Sequence, residues 1–216
     1  MKTVYVYCHG FASSPGSKKA TVFAQRFREQ GKELIVPDLE KGDFRNLTLS
    51  GQVEIIQSVV DTLPDSRIGM IGSSMGGYLA ALVAQLRQEV KGVYLMCPGL
   101  QFLKRWKEKV VPEDPKSGRL PEVMRVYHYR YDREMELSTA IFEDARKWDA
   151  LPLDRSVPTR IVHGVHDETV PVVQSREFAK NRPWVKLEEL DSDHSLLSHI
   201  DWIVDDCLKF FTREGI

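Results

Sequence analysis

No stretch of this chain approaches the roughly 20 consecutive apolar residues that a bilayer-spanning helix needs, so membrane insertion is not expected. One-sided charge is missing too, since 30 Lys+Arg stand against 31 Asp+Glu for a formal net charge of -1. A general nucleic-acid binder shows a basic excess, so that class is set aside. Cysteine is scarce. Cys8, Cys97 and Cys207 are odd in number and far apart, which argues against a disulfide framework and predicts reduced thiols in a cytoplasmic protein. No Cys/His spacing suits zinc, so no metal is expected. The first residues lead straight into a strand-like run, with no apolar segment and cleavage site of a secretory leader. Internal repeats and low-complexity tracts are also absent. The 216 residues are read as one domain, 1–216, with a sizeable core.

What is present is an alternation of apolar strands and amphipathic helices. Strands are expected at residues 4–8, 34–36, 67–71, 90–96, 159–163 and 185–190. Helices are expected at 18–30, from Thr48 or Ser50 to about 63, from the residues after Ser74 to 88, at 173–180 and at 196–211. Ser17 suits the N-cap of the first helix and Gly31 its end. Such an order implies parallel pairing through right-handed crossovers, an α/β fold with about six parallel strands and helices on both faces. Between Cys97 and Pro158 the alternation stops for about sixty residues. This segment, 98–157, is read as a cap-like insertion after the fourth strand. Tyr127-His128-Tyr129-Arg130-Tyr131 alternates like a strand or hairpin arm, and Ser138 is placed as the cap of a helix running through Trp148. Long insertions are usually functional or mobile. Its aromatics either build a satellite core or line a pocket, and Trp106, Tyr127, Tyr129 and Trp148 are the pocket candidates.

The densest signal is Gly72-Ser73-Ser74-Met75-Gly76-Gly77. A strand-like run precedes it and a helix-forming run follows, the context of a nucleophile elbow. A serine in such a turn needs a base, and the base needs a carboxylate to orient it. His163-Gly164-Val165-His166-Asp167 follows the fifth strand and Asp191-Ser192-Asp193-His194-Ser195 the sixth. A parallel sheet presents all its carboxyl ends on one edge, so Ser74, Asp167 and His194 can converge there. His199 is the alternative base, expected on the final helix. Glu168, Asp191 and Asp193 are alternative acids, each with a plain loop or capping role. His163 reads as structural and His166 as exposed. An oxyanion hole would use the backbone N–H of Met75 and that of Phe11, where Gly10 would let the loop after the first strand come close.

Together, His9-Gly10-Phe11, the Ser74 elbow, His163-Gly164-Val165-His166-Asp167 and Asp193-His194 resemble the α/β-hydrolase superfamily. More narrowly, the run from Tyr7 to Lys18 and the elbow through Tyr78 resemble small bacterial YqiA-type esterases. The resemblance spans nearly the whole chain and is weak over residues 100–148. It implies a compact hydrolase of small carboxylic esters, working without a cofactor through an acyl-enzyme on Ser74, with a small-molecule acyl ester as its partner. The other expectations are an acyl-CoA or other thioesterase and a non-catalytic binding protein on the same fold. Gly16-Ser17-Lys18-Lys19, at the start of a helix, suits an anionic group and would favour the thioesterase.

Overall fold

The computed structural model describes residues 2–107, 110, 112, 113 and 115–216. Along the chain run β1 (Thr3–Cys8), α1 (Lys18–Glu29), β2 (Leu34–Ile35), α2 (Leu49–Asp61), β3 (Arg67–Ser73), α3 (Met75–Leu86), β4 (Val90–Met96) and α4 (Phe102–Lys107). There follow β5 (Val123–His128), β6 (Arg133–Ser138), α5 (Ala140–Asp149), β7 (Thr159–Gly164), α6 (Val173–Ala179), β8 (Val185–Leu190), a 3-10 turn (Leu197–His199) and α7 (Ile200–Arg213). The main sheet has six strands in the order β2-β1-β3-β4-β7-β8, and every pairing in it is parallel.

Successive residues of a strand point to opposite faces, and the strands use this to build two cores. Val6, Cys8, Ile68, Met70, Val93, Leu95 and Ile161 face the layer that contains α2 and α3. Tyr5, Tyr7, Ile71, Tyr94, Met96 and Val162 face the layer that contains α1 and α7. A sheet covered on both faces explains why its strands are near-continuous apolar runs. Three polar groups at the second core form one cluster. The Tyr94 hydroxyl meets Asp206 at 3.0 Å, and Arg160 Nε donates to the same carboxylate at 2.9 Å.

The insertion consists of α4, a β5–β6 antiparallel hairpin and α5. The expected strand at 127–131 is therefore the end of β5 plus its turn: the strand stops at His128, and Asp132 turns the chain at φ 52°. Ser138 ends β6, Thr139 takes the N-cap position, and α5 runs to Asp149. The Ser138 hydroxyl still accepts the Ala140 N–H at 3.3 Å. The hairpin is anchored on the loops after β1 and β2. Tyr129 N–H donates to the Ala12 carbonyl at 2.9 Å, and buried His128 meets buried Glu40 at 2.8 Å.

The final helix starts later than periodicity suggests. Leu196 sits in the left-handed region at φ 57°, the 3-10 turn follows, and α7 begins at Ile200. The cause is local. One Asp193 carboxylate oxygen accepts the Ser195 N–H at 3.0 Å, the Ser195 hydroxyl at 2.6 Å and the Leu196 N–H at 3.2 Å, which favours a turn over a helix.

Candidate active site

β3 ends at Ser73 and α3 begins at Met75, so the entire turn between strand and helix is Ser74. Its backbone lies at φ 55°, ψ -120°. A residue with a Cβ held there carries strain of order 1–3 kcal/mol, and surrounding contacts must enforce it. Ser74 N–H donates to the Met96 carbonyl at 2.9 Å, and its own carbonyl accepts from Gly99 at 2.8 Å and Gly77 at 3.0 Å. The flanking glycines are steric requirements. A Cβ at Gly72 would stand 2.3 Å from the Gly76 carbonyl oxygen, and one at Gly76 would stand 2.1 Å from that of Cys8.

β7 and β8 deliver the other side chains to the same sheet edge. A Cβ at Gly164 would lie 2.3 Å from the Ser192 carbonyl oxygen, so this glycine lets the loop after β8 close onto β7. His194 then meets Asp167 through Nδ1 at 2.6 Å and Ser74 Oγ through Nε2 at 3.0 Å. An ionised carboxylate only accepts, so Nδ1 carries the proton and Nε2 is left to accept the serine hydroxyl. The other Asp167 oxygen accepts the Thr169 N–H at 2.9 Å and the Val170 N–H at 2.7 Å. Burial alone would raise the Asp167 pKa. Hydrogen bonds from His163, His194 and Val170 outweigh it and hold the carboxyl well below the usual carboxylate range.

His163 is fully buried, and its involvement with the acid was not apparent from the sequence. Its Nε2 lies 2.8 Å from the Val170 carbonyl, which can only accept, so Nε2 carries a proton; the same atom is 3.3 Å from Asp167. Its Nδ1 then accepts from the Ser175 hydroxyl at 2.8 Å. The available signal was the spacing of His163 and Asp167 around a tight strand-end turn. With Cys97 these two form a group whose possible ligand atoms lie within 4.8 Å of one another. The donor set does not suit a metal: Asp167 and His163 are committed to the bonds just given, and burial pushes the Cys97 thiol up, keeping it protonated.

The loop after β1 approaches from the other side. His9 Nε2 accepts the Leu39 N–H at 3.1 Å, so Nδ1 carries the proton and donates to the Gly10 carbonyl at 2.9 Å. Burial lowers the His9 pKa, which favours this neutral form. In a trans peptide the N–H points opposite to the carbonyl, so this bond sets the direction of the Phe11 N–H. Among the described residues, neither that N–H nor the Met75 N–H donates to a protein group. Gly10 itself is not forced by crowding. A Cβ there would meet Ser74 Cβ at 3.6 Å, an ordinary contact.

These groups open onto a cleft of about 830 Å³, whose walls include Phe11, Met75, Trp106, Tyr127 and Tyr129. Trp106 packs edge-on against Phe11 at 5.0 Å. Trp148, also expected to line a pocket, lies outside this wall. It packs against the α2–α3 core and donates to the Ser50 hydroxyl at 3.0 Å, because α5 lays that face of the insertion on α2. The alternative base and acids are engaged elsewhere or exposed. His199 precedes α7 and meets Ser198 at 2.9 Å, Asp191 pairs with exposed His166 at 2.7 Å, Asp193 shapes the turn beside His194, and Glu168 is exposed.

A parallel sheet with a one-residue serine turn into a helix, and an imidazole and carboxylate supplied from later strand ends, defines the α/β-hydrolase fold. Solved structures place the chain in that class. Est1E from Butyrivibrio proteoclasticus, with ferulic acid bound, superposes with a TM-score of 0.82 at 20% identity over 99% of this chain and 89% of that one. Alpha/beta hydrolase domain-containing protein 10 from mouse gives 0.81 at 19% identity over 97% and 89%. The esterase domain of a Rhodothermus marinus protein gives 0.71 at 18% identity over 98% and 86%. Within this fold, the chain belongs to the uncharacterised protein family UPF0227, which it matches over residues 4–211. No helix among the described residues is long and apolar enough to cross a membrane.

Proposed function

We propose that the protein is a serine hydrolase that cleaves small carboxylic esters through an acyl-enzyme on Ser74. The observation that carries this reading is the unbroken chain from Ser74 Oγ to His194 Nε2 at 3.0 Å and from His194 Nδ1 to Asp167 at 2.6 Å. Three side chains distant in sequence share one geometry, with the serine held in a strained turn. His194 takes the Ser74 proton as the oxygen attacks the acyl carbonyl. The Met75 and Phe11 N–H groups receive the developing oxyanion, each contributing roughly 3–4 kcal/mol to transition-state stabilisation. His194 then protonates the leaving alkoxide, and water, deprotonated by the same imidazole, releases the acid. Asp167 holds the imidazole tautomer and stabilises its cationic form.

Residues 98–157 serve in this reading as a cap on a single 1–216 domain, because α4 and the hairpin bring Trp106, Tyr127 and Tyr129 to the cleft. A cytoplasmic setting fits three buried free thiols. The test is Ser74→Ala on p-nitrophenyl acyl esters. Turnover should fall by roughly 10⁴-fold or more, and a fluorophosphonate should label the wild type and not the variant. Unchanged turnover, or equal labelling of both, overturns the reading.

A further inference from the structure

Two cations line the cleft that holds Ser74 and His194: Lys19, in the first turn of α1, and Arg105, on α4. Among the described residues, neither has a carboxylate within 4.0 Å. The carboxylates nearest in effect are committed elsewhere. Asp167 is held by His194 and two backbone N–H groups, Asp193 by Ser195 and Leu196, and Asp149 by the Tyr78 hydroxyl at 2.6 Å and the Leu103 N–H at 2.9 Å. Glu168, on the same wall, is exposed to solvent.

Arg105 is only part satisfied. One terminal nitrogen donates to the Thr169 carbonyl at 3.1 Å, while Nε is buried with no hydrogen-bond partner among the described residues. A buried donor left without a partner is unfavourable and calls for an explanation, such as a group that the cleft receives. The guanidinium stands beside the elbow. The position a Cβ would occupy on Gly99 lies 2.8 Å from Arg105 Nη2 and 3.5 Å from both Met75 N and Ser74 C. Lys19 is also poorly placed for a structural cation. It sits in the first turn of a helix, where the dipole repels positive charge, and that turn holds no acidic residue. Burial pushes the Lys19 ammonium and the Arg105 guanidinium down from their usual values, against the pull of the neighbouring carboxylates.

We propose that Arg105 and Lys19 form an anion-recognition site in this cleft, selecting acyl esters that carry a carboxylate or phosphate a few bonds from the scissile carbonyl. This rests on the ester-hydrolase reading for its substrate class, and it extends that reading from the bond cleaved to the charge of the molecule accepted. Arg105 presents a planar fork matched to such groups, while Lys19 supplies a point charge.

Matched esters test it. p-Nitrophenyl hemisuccinate against p-nitrophenyl butyrate places a carboxylate on the acyl side; 4-(butyryloxy)phenyl phosphate against phenyl butyrate places a phosphate on the alcohol side. At least one charged member should be preferred in kcat/KM by about tenfold or more, the size expected of one charge-assisted hydrogen bond. That ratio should fall about tenfold in Arg105→Gln and in Lys19→Gln and recover partly in Arg105→Lys. Lys19→Gln takes a cation out of the first turn of α1, so its thermal midpoint should not drop. No preference in the wild type, or a preference both variants retain, overturns the proposal. A binding arm separates this from failure of the hydrolase reading. Ser74→Ala should bind monoethyl succinate at least about tenfold more tightly than ethyl butyrate by calorimetry, and Arg105→Gln in that background should abolish the difference. If that difference holds while the wild type neither turns over esters nor labels, the anion site stands and the hydrolase reading falls. If the two ligands bind equally and neither charged ester is preferred in turnover, the anion site falls.

Discussion

At the scale of single residues, the site is a set of buried groups whose hydrogen bonds leave few choices of proton position. Asp167 is the centre of that set. It accepts from His194, Thr169 and Val170 and lies 3.3 Å from a protonated nitrogen of His163. These donors favour the ionised carboxylate, so its folded-state pKa lies below the unfolded value of about 3.9. A depressed carboxylate contributes stability that is fully present above that unfolded value and is lost as pH falls below it. Asp167→Asn does not titrate. The denaturation midpoint of the wild type should therefore exceed that of the variant by most near pH 6, and the gap should narrow as pH drops from about 4 towards 3. A gap constant over that range would contradict the assigned hydrogen bonds. The sequence marked Asp167, His194 and Ser74 by motif and chain order. It gave no comparable mark to His163, whose link to the acid depends on where the turn after β7 sends Val170, nor to Arg105, one of seven arginines in an insertion without repeat or motif.

At the scale of elements, the turns and helix ends matter more than the helices and strands themselves. Most spans could be read from apolar periodicity and from cap residues such as Ser17, whose hydroxyl accepts the Ala20 N–H at 3.4 Å. The start of α7 could not, because Asp193 gathers the following N–H groups into a turn and so places His194. The end of α3 depends on a residue far along the chain. Arg155 donates to the carbonyls of Ala84 and Arg87, the latter at 2.7 Å, and to Val90 at 2.9 Å. It occupies the carbonyl-rich end of the helix that follows Ser74, where a cation is favourable. Arg155→Ala should cost about 1–3 kcal/mol of folding free energy, read from urea denaturation, because part-buried carbonyls lose their donor. A change below about 0.5 kcal/mol would mean that water replaces the guanidinium without loss.

At the scale of the whole molecule, one parallel sheet fixes a rim and the insertion supplies a wall over it. The two meet where Trp106 packs on Phe11, and where Tyr129 N–H reaches the Ala12 carbonyl. The wall is aromatic on the core side and open outward, with Tyr129 74% exposed. Trp106→Ala should enlarge the cleft beside the Phe11 N–H and shift acyl-chain preference towards longer esters. Tyr129→Ala should shift it as well, by less, because its ring is largely in solvent. Rates over p-nitrophenyl esters of graded length measure both, and superimposable profiles for wild type and variants would show that these rings do not bound the acyl group.

Local chemistry carried the strand and helix alternation, the glycine-bracketed serine, and the order in which nucleophile, acid and base occur, because each depends on neighbours a few residues away. The convergence of Ser74, Asp167 and His194 on one sheet edge follows from parallel pairing and so was also foreseeable. Tertiary packing alone decided that Trp148 turns to Ser50 while Trp106 turns to Phe11, that Gly164 admits the His194 loop, and that Arg105 and Lys19 share a cleft with no carboxylate partner among the described residues. Those outcomes depend on which surfaces meet across long stretches of chain, and no spacing along the polymer encodes them.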